Sequence, residues 1–556
     1  VESLPPDLHA LKIQFPARWS WNSDFAPGNS SSLAGLCGLS VVAMTRREFV
    51  GTAAGAAAWQ VFSHRGFAAL PGDPGSSPEV TGLALSEVSA QVRTGAVSSV
   101  QLTEACLARI AVYEPKLNAF ITVMRTEALA QARQRDAEFR AGQWRGPLHG
   151  IPIALKDNID TAGVRTTAGS AVFANRIPTE DATIVARLVA AGAVIVGKTN
   201  LHEFAMAGIS YFGPVRNPWA LDREPGGSSS GSAAALAASL CFGAIGTDTG
   251  GSLRQPAAYC GLVGLKPTNG LVPVRGIVPG VLSLDCCGPL ARTVEDAAIL
   301  LNALAGYDRL DITSIEHARE DYSAALRQPV SGLRLGLPIG YYDRLEPEVA
   351  EATRAALALL ATLTRSTGEM TLPPTSEAGM DGGGSGVGAE VYAYHEELAR
   401  RDLPKYMLPE RRRLEALSRT HGGDAADYVR GRWALERLRR TINDAFTDFD
   451  LAVMPTERVL PSTLNTYIND VYDTSPRDPG LAFSNCPPIN VYGIPAISIP
   501  CGFSRDGLPI GLMIAGPRFS EGRILALAHA YEQATDWHRR RPPLKPDMAV
   551  PAVQLP

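Results

Sequence analysis

The sequence predicts an α/β protein: one sheet covered by helices on both faces, with a helical insertion. Three observations point there. Short apolar runs without polar alternation occupy residues 150–155 (GIPIAL) and 193–196 (AVIV), as strands buried on both faces require. An amphipathic helical pattern fills residues 181–191 between them, so strand, helix and strand alternate. From residue 301 to residue 449 the composition turns charged and helix-rich before apolar runs return.

Taken in order, residues 1–43 are irregular, with no sustained hydrophobic period. Met44 opens a different composition: Arg46-Arg47, Phe49, the weakly apolar run GTAAGAAAWQVF at 51–62, then Ala68-Ala69 as small residues for cleavage. Residues 44–70 resemble a twin-arginine export signal, which would send the chain to the periplasm; without it the chain is cytoplasmic. The bland reading is a short core helix flanked by charge. The run is shorter than the ~20 apolar residues that cross a bilayer, and no other stretch qualifies, so no membrane span is expected. On the export reading, residues 1–43 are an over-extended translation start ahead of Met44.

The body is expected over residues 75–548. Residues 100–113 (VQLTEACLARIAVY) carry apolar residues at helical spacing, and the run at 150–155 ends at Lys156 as a buried strand. The pattern at 181–191 has Asp181 as its acidic N-cap candidate, and Gly192 stops it before the strand at 193–196. In the insertion, 301–449, residues 396–401 and 428–440 read as helix, and the glycine run at 379–386 as a loop. Strand character returns at 451–455 (LAVMP) and 496–500 (AISIP).

Bulk composition excludes several functions. With 52 basic and 56 acidic residues the net charge is −4, so no diffuse basic field attracts nucleic acid or an anionic membrane. The eight cysteines form no C-x-x-C pair and have no histidine-rich partner run, which argues against a zinc site; they read as scattered buried thiols. The adjacent Cys286 and Cys287 are poorly placed for a mutual disulfide.

Chemistry concentrates in three segments: GIPIALKDNID (150–160), PGGSSSGSAAALAA (225–238) and GTDTGGSLRQPAAYCGLVGLKPT (246–268). A serine hydroxyl needs a base within hydrogen-bond reach. The nine histidines are scattered and no G-x-S-x-G occurs, so histidine is a poor candidate for that base. A lysine can serve if burial makes its amine neutral, and Lys156 closes an apolar strand. On an ordinary strand end it would be solvated or ion-paired. The glycine- and serine-rich loop before an alanine-rich helix also suits phosphate binding. Yet GLVGLKPT lacks the P-loop spacing, and no dinucleotide fingerprint follows a strand.

Together these segments resemble the amidase signature family of serine hydrolases. The resemblance runs from residue 83 to residue 544, through GKTNLHEFAMAG (197–208) and GLPIGLMIAG at 507–516. It implies the amidase-signature fold, with a large, mixed, twisted sheet. It also implies a Ser-cis-Ser-Lys triad: Ser252 as nucleophile, Ser228 after Gly227 in a cis peptide as bridging serine, and Lys156 as base. The N–H groups of Thr249, Gly250, Gly251 and Ser252 then form the oxyanion hole, for which two side-chain-free neighbours give room. Asp248 and Arg254 brace that turn, Ser229 adds a hydrogen bond to the triad, and Ala205 and Met206 border the acyl pocket. One departure is Ser230-Gly231, where the family carries two glycines.

The activity so implied is hydrolysis of a small amide through an acyl-enzyme, with carbamates and esters open as further substrates. No metal or organic cofactor is implied, and the expected partner is a small-molecule amide. Family members often form dimers, and the sequence leaves the oligomeric state open. Within the family, the alternative is the glutaminase (A) subunit of a tRNA-dependent amidotransferase. The export-like leader and the divergent region 301–449 argue against that alternative. Outside it, an exported non-catalytic binding protein is disfavoured because all three triad residue types are retained.

Overall fold

The computed structural model describes residues 80–206, 208–379, 385–473 and 484–555, all within one compact unit, Asp73–Pro556. The export-signal reading of residues 44–70, the extension at 1–43, Cys37 and residues 380–384 of the glycine run lie outside the described residues.

The architecture is α/β, as expected. Among the described residues there are eleven strands: β1 (Phe120–Val123), β2 (Pro152–Lys156), β3 (Val194–Thr199), β4 (Gly243–Asp248), β5 (Val263–Lys266), β6 (Cys286–Ala291), β7 (Arg334–Pro338), β8 (Ser366–Met370), β9 (Leu451–Pro455), β10 (Ala496–Phe503) and β11 (Pro509–Ala515). They form one mixed sheet in the order β1-β3-β2-β4-β6-β5-β10-β11-β9-β7-β8. β2 runs parallel to β3 and β4, whereas β4, β6, β5, β10, β11 and β9 pair antiparallel in succession.

Burial explains the unbroken apolar runs. Every residue of β2, β3 and β4 is buried. In β2, Ile153 and Leu155 join one core while Ala154 joins the other; in β3, Ile195 joins the first and Val194 and Val196 the second. That split is the period-two alternation of a strand with hydrophobic layers on both faces. The second core includes the helix Ser230–Ala237, whose residues are all buried and whose small side chains let it pack deep against the sheet.

The helices fall where the periodicity places them. Residues Ser99–Leu117 form a helix capped by the Ser98 hydroxyl, which accepts from the Gln101 N–H. The pattern at 181–191 becomes the helix Thr183–Ala190, with Ile184, Val185 and Leu188 turned into the core. Its N-cap is Ala182 rather than the expected Asp181. The Asp181 carboxylate instead accepts the N–H of Ala162 at 2.7 Å, so a loop outcompetes the helix end for it.

The region 301–449 is not solely helical. It carries the helices Pro347–Leu363, Ser385–Asp402, Leu408–Ser418 and Ala425–Thr441, but also β7 and β8, which extend the sheet at one edge. β8 has the sequence STGEM and is mostly exposed, so a search for buried apolar strands passes over it. The later three of those helices make a separate apolar cluster, in which Val391, Tyr406, Leu414 and Leu435 pack with Phe204, Val278 and Leu284 of the body. All seven described cysteines are free and buried, as the spacing predicts.

Candidate active site

The C-terminal ends of β2 and β4 bring Lys156 and Thr247 together under the loop that precedes the helix Ser230–Ala237. Lys156 has no exposed surface. Its Nζ donates to Ser228 Oγ at 2.8 Å and to Thr247 Oγ1 at 2.7 Å. Burial disfavours the ammonium and pulls its pKa down to about 7, although the carboxylates of Asp248 and Asp285 oppose the shift. At neutral pH a large share of Lys156 is therefore an uncharged amine with a lone pair beside a serine hydroxyl.

Ser228 is buried and follows Gly227 across a cis peptide bond, as the resemblance implies. Ser252, half-buried, lies just before the helix Arg254–Cys260. The two segments are joined by the main chain, with the Ser229 N–H donating to the Ser252 carbonyl at 3.3 Å. Among the described residues no hydrogen bond links the Ser252 and Ser228 hydroxyls.

The turn that carries Ser252 is held by a buried ion pair. Arg254 Nε and Nη2 each reach a separate oxygen of Asp248 at 3.0 Å, and neither side chain is exposed. Asp248 also accepts from the N–H groups of Gly251 and Leu253 at 2.7 and 3.2 Å, and from Asn490 Nδ2 at 2.9 Å. Burial alone would raise its pKa, but the guanidinium overrides that and holds the carboxyl well below the usual carboxylate range. Arg254 in turn donates to the Cys486 carbonyl at 3.1 Å and to Asn490 Oδ1 at 2.6 Å. Asp248 and Arg254 thus hold each other, and Asp248 holds two N–H groups of the turn.

Two expectations about this turn change. The Gly251 N–H is already committed to Asp248, so it is not free for an oxyanion; those of Thr249, Gly250 and Ser252 have no partner among the described residues. Glycine at 251 answers instead to its φ of +127° and to a Cβ position 2.6 Å from Cys486 Cβ. A Cβ at Gly250 would meet no protein atom within 4 Å. Second, the hydrogen bond from Ser229 to a triad residue is that of its main-chain N–H to the Ser252 carbonyl, and its hydroxyl turns elsewhere. It donates to the Thr247 carbonyl at 3.1 Å and accepts from the Thr247 N–H at 3.3 Å, fastening the serine loop to β4.

Met206 lies beside the turn: a Cβ built on Gly280 would sit 3.7 Å from Met206 Sδ and 3.0 Å from Thr249 Oγ1. Ala205, with φ +59°, is buried in the short turn Glu203–Ala205 and bonds back to the His202 carbonyl. Ser230, the departure, starts a helix with its hydroxyl buried and without a hydrogen-bond partner among the described residues. Gly231 is the crowded position, its Cβ site being 2.3 Å from the Ala119 carbonyl oxygen.

Sequence reasoning missed Thr247, Asn158, Asp285 and Asn490. Asn158 Nδ2 donates to Thr247 Oγ1 at 3.3 Å and to the Val278 carbonyl at 3.2 Å. Asp285 accepts from the Thr249 hydroxyl and from the N–H groups of Gly280 and Val281, and burial raises its pKa to about 6. Thr247 stands inside the GTDTGG segment, one residue from Asp248, and strand alternation could have flagged it. The others come from distant segments without a local signature.

A buried lysine whose pKa is pulled down to about 7 thus hydrogen-bonds the Ser228 hydroxyl, and the Ser228–Ser229 segment is joined through the main chain to the turn that carries Ser252. The chain belongs to the Amidase family, whose sequence profile it matches over residues 101–525. It is an enzyme of amide C–N bonds. It is 41% identical to the (A) subunit of glutamyl-tRNA(Gln) amidotransferase from Roseiflexus sp. (strain RS-1), over 83% of this chain and 98% of that one. Among solved structures it is similar to the native peptide amidase from Stenotrophomonas maltophilia, at 35% identity and a TM-score of 0.71, covering 84% of this chain and 99% of that one. It is also similar to 6-aminohexanoate cyclic dimer hydrolase complexed with substrate, at 28% identity and a TM-score of 0.75, covering 84% and 99%.

Proposed function

We propose that the protein cleaves amide C–N bonds through an acyl-enzyme on Ser252. The observation that carries this reading is the dry Lys156 amine, 2.8 Å from the Ser228 hydroxyl. Uncharged Lys156 takes the proton of Ser228, Ser228 takes that of Ser252, and the Ser252 oxygen attacks the carbonyl carbon. The negative charge that develops on the carbonyl oxygen is met by the N–H groups of Thr249, Gly250 and Ser252, which have no partner among the described residues. As the C–N bond breaks, the same relay returns a proton to the departing amine or ammonia. Water then attacks the ester, and the acid leaves. Met206 borders the acyl group. Ser252→Ala is expected to fold normally, lose hydrolysis and lose labelling by a fluorophosphonate. Full turnover by that variant would overturn the assignment.

A narrower reading concerns which amide is used. The relatives named as the (A) subunit of glutamyl-tRNA(Gln) amidotransferase, at 41% identity over nearly their whole length, favour the side-chain amide of glutamine, with this chain releasing ammonia inside a larger complex. Glutamine hydrolysis by the purified chain, together with stoichiometric co-purification of a tRNA-binding partner, supports it. Rapid turnover of peptide amides or aryl amides with glutamine inert returns the reading to a self-sufficient amidase, as the likeness to peptide amidase suggests.

A further inference from the structure

A cavity of about 590 Å³ lies between the loop 279–283, the turn 312–315 and the helices Ser385–Asp402 and Ala425–Thr441. No triad residue lines it. Its walls hold three arginines, Arg432, Arg439 and Arg518, against two carboxylates, Glu390 and Glu436. Both acids are engaged. Glu390 accepts from the Ser283 N–H at 2.9 Å and the Tyr428 hydroxyl at 3.3 Å, and Glu436 stands 3.5 Å from Arg432 Nη2. The formal balance leaves one positive charge.

The same walls carry three buried donor atoms without a hydrogen-bond acceptor among the described residues: Arg518 Nε, Arg432 Nη1 and Ser283 Oγ. Arg432 Nη1 lies 3.7 Å from Glu390, close enough for ion pairing but beyond a hydrogen bond. Each has almost no accessible surface as it stands, and a turn of its side chain into the cavity gives it the acceptor it lacks. Around them the lining is apolar, with Leu282, Ile315 and the 89% exposed Ile312. The volume suits a small organic molecule.

We propose that this cavity binds a small organic carboxylate with an apolar body. Its carboxylate oxygens accept from the unpaired donors of Arg518, Arg432 and Ser283, and its body covers the isoleucines and Leu282. The site also touches the catalytic turn. Gly280 forms part of its wall, and Asp285, which holds the N–H groups of Gly280 and Val281, holds the Thr249 hydroxyl as well. The carboxylate belongs either to the far end of an amide substrate or to a separate effector.

The test is calorimetric titration of the full chain with sodium benzoate and sodium hexanoate, with benzamide as the uncharged comparison. Wild type is expected to bind the carboxylates at one site. Arg518→Gln and Arg432→Gln should each weaken that binding by about tenfold or more, the usual loss for a charge-assisted hydrogen bond. Ser283→Ala, which removes only a hydroxyl, keeps the test sound should either arginine variant unfold. The proposal is overturned if wild type fails to bind benzoate, if all three variants bind it as tightly as wild type, or if benzamide binds equally well. Kinetics then separate the sources. A KM raised in Arg518→Gln only for amides with a distal carboxylate assigns the site to the substrate. Non-competitive modulation of an uncharged amide by benzoate assigns it to an effector. Because binding is read without turnover, the outcome stands apart from the Ser252 reading.

Discussion

Replacing Lys156 with methionine keeps the volume and apolar stem of the side chain and removes the amine. In the wild type that amine has a folded pKa of about 7 against an ordinary value of 10.5, with burial as the leading cause. The folded state therefore holds fewer protons than the unfolded chain between those values, and stability rises with pH across that window. Integrated from pH 6 to pH 9, the lysine contributes about 3 kcal/mol of increasing stability, which Lys156→Met lacks. Other buried acids titrate nearby, including Glu457, raised to about 7, and Glu224, raised to about 8, in each case chiefly by burial. They are common to both proteins, so only the difference between the two pH series is read. Unfolding of each by urea at half-unit steps gives it. Activity gives a second readout: kcat/KM of the wild type should climb about tenfold from pH 6 to pH 8 as the amine loses its proton. The variant should lose about 10²- to 10⁴-fold at pH 8 and lose that acid limb. Parallel stability curves, or a variant that keeps the limb, would refute the argument that Lys156 is the dry base.

Neighbouring contacts can be tested in the same way. Thr247→Val removes an acceptor from the Lys156 ammonium, so the acid limb of kcat/KM should move to lower pH by about one unit, and Thr247→Ser should restore it; an unmoved limb in the valine variant contradicts the geometry. Arg254→Met leaves Asp248 buried without its cation and should destabilise the protein by about 3–5 kcal/mol in chemical denaturation, so a loss below about 1 kcal/mol would show the pair to be dispensable. Gly251→Ala, at φ +127° against Cys486, should lower stability by about 1–3 kcal/mol. Gly250→Ala, with open space around its Cβ, should stay within about 0.5 kcal/mol of wild type, and equal thermal losses in the two variants would count against the turn as described.

Much of the fold was legible because its signals are local. A strand buried on both faces must be apolar throughout, and β2, β3, β9 and β10 announce themselves that way. β8 was hidden because it sits at a sheet edge and shows solvent a mostly polar chain. The Asp181 cap failed for a related reason, since Ala162, close only in space, claims the carboxylate.

The site divides along the same line. By itself the sequence determined the residue types and their spacing: a lysine closing an apolar strand, and two serines on glycine-rich segments 24 positions apart. Such motifs are read off neighbours along the chain, and with them the family. Only the tertiary structure decided how dry Lys156 is, which N–H groups of the turn stay free, and where the Ser229 hydroxyl points. Those properties depend on partners far away in sequence, such as Asn490, 242 positions from the Asp248 it helps to hold. Burial and hydrogen-bond competition are settled by everything that packs around a group, and no local pattern encodes that sum.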